Sequence, residues 1–236
     1  MMKKSILLIL FTLFGVYGII LAQVPVAYFP FCGSANDISG NGNHGTVTGA
    51  ILSEDRFNNI NSTYYFDGVD DRINFTLNPN PEHLTMSCWF NVVDSSLNEP
   101  ILSTNAAGGF SVNNGHVSLG LELGSGDYSN QTQVAINSGQ WYHVGITYNG
   151  SQVNYFVNGI QVYTSYDTDA INYDGLGFFV GCNFSQNNFF NGLIDDIRIY
   201  DYAVDSAEMV NQYFSGLYWD TITTEVFDTT YVNVYD

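Results

Sequence analysis

Basic side chains are the scarcest feature of this 236-residue sequence, which has five Lys and Arg residues against 23 Asp and Glu residues. The formal net charge is −18, and both lysines, Lys3 and Lys4, lie within the first four residues. Nucleic-acid binding depends on clustered Lys and Arg side chains that pair with phosphates. The composition therefore argues against nucleic acid as a partner. It also disfavours acidic lipid surfaces and, more weakly, sulfated or uronic polysaccharides.

Cysteine is scarce too, with Cys32, Cys88 and Cys182 as the three examples. No Cys-x-x-Cys pair occurs, so neither a zinc site nor a redox motif is predicted. An odd count leaves room for one disulfide, and Cys32–Cys182 would join the two ends of a sandwich. The alternative is that the cysteines are free and behave as small buried apolar side chains.

One long apolar run is present, Ser5–Leu21, and it follows the basic pair Lys3-Lys4. A short basic start, an apolar core and the small residue Ala22 are the parts of a secretory signal, residues 1–22. We expect cleavage before Gln23 and a secreted or cell-surface protein that is not inserted in the membrane once the signal is removed. The alternative, an N-terminal membrane anchor, lacks a charged stop-transfer sequence.

Helix-forming runs of Ala, Lys and Glu are missing, whereas Gly, Asn and Asp are abundant, which favours many short strands. The segment 140–163 holds two Asn-Gly dipeptides, Asn149-Gly150 and Asn158-Gly159, between β-branched and aromatic residues. Asn-Gly supplies the positive φ angles of tight hairpin turns, so this segment predicts three consecutive antiparallel strands. Its apolar residues alternate with polar ones, which indicates strands with one face buried. A chain of this length suits one β-sandwich.

Four motifs resemble those of laminin-G-like, concanavalin A-type jelly-roll domains, and they occur in the expected order over about residues 26–214. They are Asn36–Gly45, Tyr65–Asp71, the central hairpin Trp141–Gly159 and Gly192–Tyr200. The resemblance implies an all-β fold, an antiparallel jelly-roll sandwich over residues 23–216.

Two segments near the C-terminus depart from the strand pattern. Residues 204–213 read as a short helix, with Asp205 or Ser206 as its N-cap and Glu208 in its first turn. Residues 217–236 carry Asp-Thr at 220 and again at 228, a spacing of eight that is too short to establish a repeat. We expect residues 217–236 to be a linker, or the start of a repeat-like tail, that leads to a further C-terminal part.

The loop 33–45 is crowded with Asn, Asp, Ser and Gly. By composition it is equally a turn-rich connection or a calcium loop, since short oxygen-bearing side chains serve both purposes. The resemblance favours the metal and implies one structural Ca²⁺ ion. The implied ligands are Asp37, Asn41 and Asn43 from this loop, with Asp195 or, failing that, Asp196 from the last core strand.

Two polar segments, 124–133 and 164–176, are predicted to be loops between strands, which is where ligand recognition concentrates. Their Tyr, Asn and Asp side chains have the chemistry of a sugar site, and the alternative is that they form solvated loop tips. The candidate ligand-binding residues are Tyr128, Asn130, Tyr166, Asp169 and Tyr173.

Two aromatic residues inside predicted strands have open roles. Trp89 is expected in or beside the core, and the alternative is a sugar-stacking platform. His143 is expected to be an outward or hydrogen-bonded structural histidine.

Catalytic motifs are missing. A retaining glycosidase needs two carboxyl groups about 5–5.5 Å apart, but the six glutamates are isolated. Strand alternation places Asp195 and Asp196 on opposite faces, so they are not expected to act on one substrate. Neither His-Glu-x-x-His nor Gly-x-Ser-x-Gly occurs. We therefore expect no enzymatic activity.

The sequence and its resemblance together predict an exported, calcium-stabilised module for carbohydrate binding or adhesion, with a cell-surface or matrix glycan as its partner. The alternative is a structural or protein-interaction module of a larger cell-surface protein. A glycoside hydrolase of the concanavalin A-like type is the least favoured reading.

Overall fold

The computed structural model describes residues 24–77, 81–104, 108–124, 126–171 and 177–216, with the backbone alone for residues 126–133. Strands dominate these residues, and one helix follows them. The strands are β1 (Ala27–Phe29), β2 (Thr46–Thr48), β3 (Ile51–Ser53), β4 (Thr63–Asp67), β5 (Arg72–Thr76), β6 (Leu84–Val92), β7 (Asn98–Thr104), β8 (Gly109–Asn113), β9 (His116–Leu123), β10 (Gly126–Ala135), β11 (Trp141–Tyr148), β12 (Gln152–Val157), β13 (Ile160–Tyr166), β14 (Gly177–Val180) and β15 (Asn191–Tyr200), and the helix is α1 (Ser206–Phe214).

The strands form two antiparallel sheets that pack face to face. Sheet A has the order β13-β12-β11-β6-β15-β4-β3, and β1 also pairs with β15. Sheet B has the order β10-β9-β8-β7-β14-β5-β2. The predicted all-β jelly-roll sandwich is confirmed.

The predicted central meander is β11, β12 and β13, whose pairing is antiparallel throughout. At the β12–β13 turn, Asn158 has φ 51° and Gly159 has φ 74°. Two successive positive φ angles make a type I′ turn, whose twist matches that of the flanking strands. The same geometry joins β8 to β9, where Asn114 and Gly115 have φ 49° and 79°. The Asn-Gly dipeptides therefore set the registers of the β12–β13 and β8–β9 hairpins.

The core lies between the two sheets and follows strand alternation. On β9, the side chains of Val117, Leu119, Leu121 and Leu123 are buried, while the residues between them are partly exposed. Aromatic rings fill the centre, for example Phe75 and Phe178, which stack with centroids 4.6 Å apart. One continuous cluster of apolar side chains joins the sheets.

The prediction of a loop over 124–133 is wrong, because β10 runs through it as the edge strand of sheet B. Gly124, with φ 56°, turns the chain back, and β10 pairs antiparallel with β9. An edge strand is held by backbone hydrogen bonds to one neighbour, and these do not require apolar side chains. Tyr128 and Asn130 thus belong to a strand, and their side chains lie outside the described part of the structure.

Helix α1 lies on the outer face of sheet A. The Asp205 carboxylate accepts a hydrogen bond from Glu208 N at 2.8 Å, which confirms the predicted N-cap. The amide oxygen of Gln212 accepts a hydrogen bond from Ser87 Oγ on β6 at 2.7 Å. Met209 packs against Gly145 on β11, where a side chain would collide with it. Among the described residues, no helix has the length and apolarity to span a membrane.

The three cysteines are free in this fold, as one of the two alternatives predicted. Cys88 and Cys182 are buried as small apolar side chains, whereas Cys32 is exposed.

Candidate functional site

Strand β15 changes its neighbour halfway along its length. Residues 191–194 pair with β4, and residues 197–199 pair with β1. Between these halves a β-bulge interrupts the pairing with β6, and Asp196 takes the left-handed backbone conformation with φ 54°. A bulge adds one residue to one strand and redirects its side chains. The Asp195-Asp196 pair sits at this bulge.

Because of the bulge, both carboxylates reach the same guanidinium. Arg56 donates from Nη1 to Asp195 at 2.7 Å and from Nη2 to Asp196 at 2.9 Å. Arg198 donates to the other oxygen of Asp196 at 3.3 Å. The prediction that Asp195 and Asp196 face opposite sides is therefore wrong, since the extra residue shifts the alternation at this point.

Asp195 and Asp196 are buried, and the side chains of Arg56 and Arg198 are 9% and 15% exposed. Burial and the neighbouring Asp196 charge raise the pKa of Asp195 to about 8, against the opposing effect of Arg56. Burial acts on Asp196 too, but Arg198 and Arg56 outweigh it and hold the pKa of that carboxyl below its ordinary value. Divergent pKa values occur in catalytic pairs and in structural ion-pair networks alike. Here arginines pair with both carboxylates, which is the arrangement of a structural ion-pair network.

An aromatic layer lies beside this network, between sheet A and α1. The guanidinium carbon of Arg56 lies 4.5 Å from the centroid of the Trp89 ring, and Tyr213 of α1 stacks on Trp89 with centroids 5.4 Å apart. Trp89 is buried, in agreement with its predicted place beside the core, but it lies outside the sandwich interior under the helix. It is covered and offers no face to a sugar.

His143 belongs to the same layer, with its ring 5.3 Å from that of Trp89. The ring lies on the outward face of sheet A, as predicted, but α1 covers it and the residue is 2% exposed. Its Nδ1 atom has no hydrogen-bond partner. Burial is the main cause that lowers the pKa of His143 to about 3, so the ring is neutral at physiological pH.

The loop of the predicted calcium site is folded around Asp37. One carboxylate oxygen accepts hydrogen bonds from the backbone N–H groups of Tyr28 and Ser39 at 3.0 and 2.8 Å. The other accepts from Asn43 N and Ser39 Oγ, each at 2.9 Å. These donors outweigh burial and lower the pKa of Asp37.

Oxygen-bearing side chains converge on the Val26 carbonyl oxygen at this loop. Ser39 Oγ, Asn41 Nδ2 and Asn43 Nδ2 lie 3.0, 3.0 and 2.8 Å from it. A half-turn of an Asn amide exchanges its nitrogen for its oxygen, and the two are assigned from the surrounding hydrogen bonds. Carboxylate, amide and backbone carbonyl oxygens are the ligand types that Ca²⁺ prefers. In this structure the Val26 carbonyl accepts from the two Asn amides and each Asp37 oxygen accepts two hydrogen bonds, so these groups would hold the ion only after the amides turn.

The structure does not bring the other predicted ligands into this loop. Asp37 and Ile38 bond to the backbone of Tyr28 on β1, whose neighbour in sheet A is β15. Strand β1 therefore lies between the loop and the carboxylates of Asp195 and Asp196, which bond to Arg56 instead.

A second acidic cluster was not singled out as a metal site from sequence. The carboxylate oxygens of Asp67, Asp70 and Asp71 lie within 4.8 Å of one another, the one such group of three among the described residues. Asp71 accepts a hydrogen bond from Asp67 N at 3.0 Å, and Asp67 accepts one from Val69 N at 2.8 Å. These bonds build the turn between β4 and β5.

A pocket of about 380 Å³ opens at the end of the sandwich where β6 begins and β13 ends. Tyr166, which is 79% exposed, lies two residues before this lining. The Asp169 carbonyl accepts a hydrogen bond from Tyr148 Oη at 2.7 Å, and its carboxylate packs against Gly124. The lining residues are Pro81, Glu82, His83, Tyr148, Gly150, Thr168, Ala170 and Ile171.

This cavity, the rim pocket, lies next to part of the predicted sugar site without containing it. Tyr166 and Asp169 neighbour the lining residues Thr168 and Ala170 in sequence but do not line the pocket, while Tyr173 lies outside the described residues. Tyr166 is the last residue of β13, so the prediction of a loop over 164–176 is wrong for residues 164–166. Glu82 and His83 were missed, because in the sequence they are isolated polar residues ahead of a strand.

Comparison with protein-family models matches residues 59–209 to Laminin_G_3, the concanavalin A-like lectin/glucanases superfamily. The comparison with curated proteins gives no match.

Solved structures with a similar fold include binding domains from bacteria. Domain 4 of AbnA, an extracellular arabinanase from Geobacillus stearothermophilus solved with arabinotriose, has 20% identity and a TM-score of 0.60 over 80% of this chain and 98% of that one. The botulinum neurotoxin serotype D ligand binding domain, solved with N-acetylneuraminic acid, has 16% identity and a TM-score of 0.65 over 83% and 52%. The botulinum neurotoxin DC binding domain, solved with rat synaptotagmin II, has 17% identity and a TM-score of 0.66 over 81% and 51%. The chain thus spans about half the length of the toxin domains.

Proposed function

This chain belongs to the concanavalin A-like lectin/glucanases superfamily, and we propose that it is a non-catalytic carbohydrate-binding domain of an exported protein. The observation that carries the proposal is the rim pocket, whose lining residue Thr168 follows the exposed Tyr166 by two positions. A sugar needs an aromatic face for its apolar side and polar groups for its hydroxyls. Tyr166 supplies the first, and Glu82, His83 and Thr168 supply the second.

The pairing of the Asp195 and Asp196 carboxylates with arginine supports binding without hydrolysis. Asp195 and Asp196 are buried and paired with Arg56, so neither is free to protonate a leaving group or attack a sugar carbon. The rim pocket is lined by one carboxylate, that of Glu82. The full-length fold match to a domain solved with arabinotriose supports a glycan as the ligand class.

Calcium is proposed as a structural ion in the 33–45 loop. Asp37, Asn41, Asn43 and the Val26 carbonyl would hold it, and its charge would fix the loop against β1. Asp195 and Asp196 are not part of this proposed shell, because β1 separates them from the loop and both pair with Arg56. Export rests on the N-terminal signal pattern at residues 1–22.

A protein-interaction role is the second candidate. It is favoured by exposed apolar side chains where β13 meets α1, namely those of Ile160, Val210 and Phe214. Clusters of this kind mark protein contact sites when they are contiguous.

The proposal is tested by glycan-array binding of the purified protein in calcium and in chelator, with a parallel assay for newly released reducing ends. We expect binding to one class of glycan and no release of reducing ends. A folded protein that binds no glycan would favour the protein-interaction role, and released reducing ends would overturn the non-catalytic assignment.

A further inference from the structure

The outer face of sheet B carries one register row of mostly small residues. The strand pairings place six residues side by side across β2, β5, β14, β7, β8 and β9. The row is Thr46, Asn74, Phe179, Ser103, Gly109 and Gly120. Phe179 is thus the one bulky side chain in a shallow trough.

A second aromatic ring stands next to Phe179. Phe184 is 55% exposed, and its ring meets that of Phe179 edge-on, with centroids 6.1 Å apart and planes 74° apart. The ring of Phe179 forms the floor of a corner, and the ring of Phe184 forms its side wall. We call this pair, together with Asn74, the aromatic corner.

The loop that carries Phe184 is rigidly built. Asn183 Oδ1 accepts hydrogen bonds from the N–H groups of Asn187 and Asn188 at 3.0 and 3.3 Å, and its amide donates to Asn187 Oδ1 at 2.8 Å. Gln186 takes the left-handed conformation, with φ 52°. An exposed phenyl ring held by such a loop is ordered before any ligand arrives, which lowers the entropy lost on binding.

Asn74 supplies an unsatisfied polar group beside Phe179. Its Oδ1 atom is buried and has no hydrogen-bond partner. A buried acceptor without a donor is destabilising, because it has lost its hydrogen bonds to water. A ligand hydroxyl that reached this oxygen would supply the missing donor.

We propose that the aromatic corner is a sugar-binding subsite on sheet B, separate from the rim pocket. A sugar ring stacks on Phe179 with its edge against Phe184, and one of its hydroxyl groups donates to Asn74. Arg72, two residues before Asn74 on the same face, donates to further hydroxyls. This inference rests on the proposed carbohydrate-binding function and adds a second contact surface to it.

The charge around the corner selects a neutral glycan. Arg72 is flanked by the acidic cluster of Asp67, Asp70 and Asp71, and the whole chain carries −18. A polyanionic glycan would be repelled by this field, whereas neutral sugars offer both the apolar ring face and the hydroxyls that the corner needs.

The test is calorimetric titration of the purified protein with neutral trisaccharides, arabinotriose among them, and with the neutral glycans that bind on the array. Phe179→Leu keeps the apolar volume and removes the aromatic face, and Phe184→Ala removes the wall. We expect each to weaken binding by roughly five- to tenfold, the scale of one aromatic contact. Phe214 lies on α1, which packs on sheet A, and it is 40% exposed. Phe214→Ala is therefore the matched control and should bind the glycan with parental affinity.

Amide NMR shifts during the titration locate the ligand independently of the variants. Shifts at Asn74, Ser103, Phe179 and Phe184 would support the corner. If glycan binds but Phe179→Leu and Phe184→Ala have parental affinity and the shifts are confined to 81–83 and 166–171, the corner is wrong and the proposed function stands. If the parent protein binds no neutral glycan, the corner is wrong, and if it binds no glycan at all, the proposed function fails with it.

Discussion

The outer faces of the two sheets have opposite characters. On sheet A, Trp89 and His143 project outward but are buried beneath Arg56 and α1. On sheet B, the outward residues are mostly small, no described helix covers them, and Phe179 is partly exposed. Both faces arise from the same alternation along their strands. They differ because Arg56 and α1 cover the outer face of sheet A, whereas no described helix covers that of sheet B. This difference indicates that the outer face of sheet A contributes to stability, while that of sheet B is open to a ligand.

The largest effect on the free energy of unfolding is expected when the ion network of Arg56, Asp195 and Asp196 is broken. Arg56→Met leaves Asp195 and Asp196 buried without their shared partner, which should lower the free energy of unfolding by about 3–5 kcal/mol. Arg72→Met on sheet B, whose guanidinium forms no salt bridge within the described residues, should cost less than about 0.5 kcal/mol. Urea titration of both variants measures this, and equal losses would remove the distinction between the faces.

A second pair compares one outward aromatic residue from each sheet. Trp89→Ala should cost about 3–5 kcal/mol, because it opens a cavity beneath Arg56 and Tyr213. Phe179→Ala should cost only about 1 kcal/mol, since its ring is partly solvated already. Thermal and urea unfolding provide the values. A cost for Phe179 as large as that for Trp89 would mean that sheet B's outer face is also part of the core.

The buried layer on sheet A should also make stability depend on pH. The folded pKa of His143, about 3, lies below the unfolded value of 6.5, so the unfolded chain takes up the proton first as the pH falls. Stability from this group is present above pH 6.5 and is lost between pH 6.5 and 3, by an amount on the order of 5 kcal/mol.

His143→Phe should reduce the pH dependence of the free energy of unfolding between pH 6.5 and 3. His83→Phe, at an exposed position, is the control and should not reduce it. Asp196 and Arg198 also face the ring and keep their own contributions in both variants. A parental profile in His143→Phe would show that another group carries the acid sensitivity.

The smallest expected effect concerns calcium. Saturating Ca²⁺ should raise the free energy of unfolding by about 1–3 kcal/mol through its preference for the folded loop. Asp37→Ala should abolish this increment, and Asp67→Ala, in the other acidic cluster, should keep it. Unfolding in calcium and in chelator gives the increment for each variant, and an unchanged increment in Asp37→Ala would place the ion elsewhere.

Local patterns predicted the parts of the fold that depend on neighbouring residues. Asn158-Gly159 predicted a hairpin because only a few residue types tolerate positive φ. Asp205 predicted the start of α1 because its side chain satisfies an N–H three residues on. These features were confirmed.

The candidate site depends on contacts that local patterns do not contain. Arg56 and Asp195 are 139 residues apart, and the bulge at Asp196 has no signature in the hydrophobic period. Strand β10 is an edge strand, so its polar residues read as a loop. Asn74 and Phe179 meet only through the order of strands in sheet B.

The most direct test of the central claim measures stability and glycan affinity on the same two variants, Trp89→Phe and Phe179→Leu. The claim that the outer face of sheet A stabilises and the outer face of sheet B contributes to binding predicts that Trp89→Phe lowers the unfolding temperature and keeps parental affinity. It predicts that Phe179→Leu keeps the unfolding temperature and loses affinity. If Phe179→Leu retains parental affinity for a glycan that the protein binds, the assignment of binding to sheet B is contradicted.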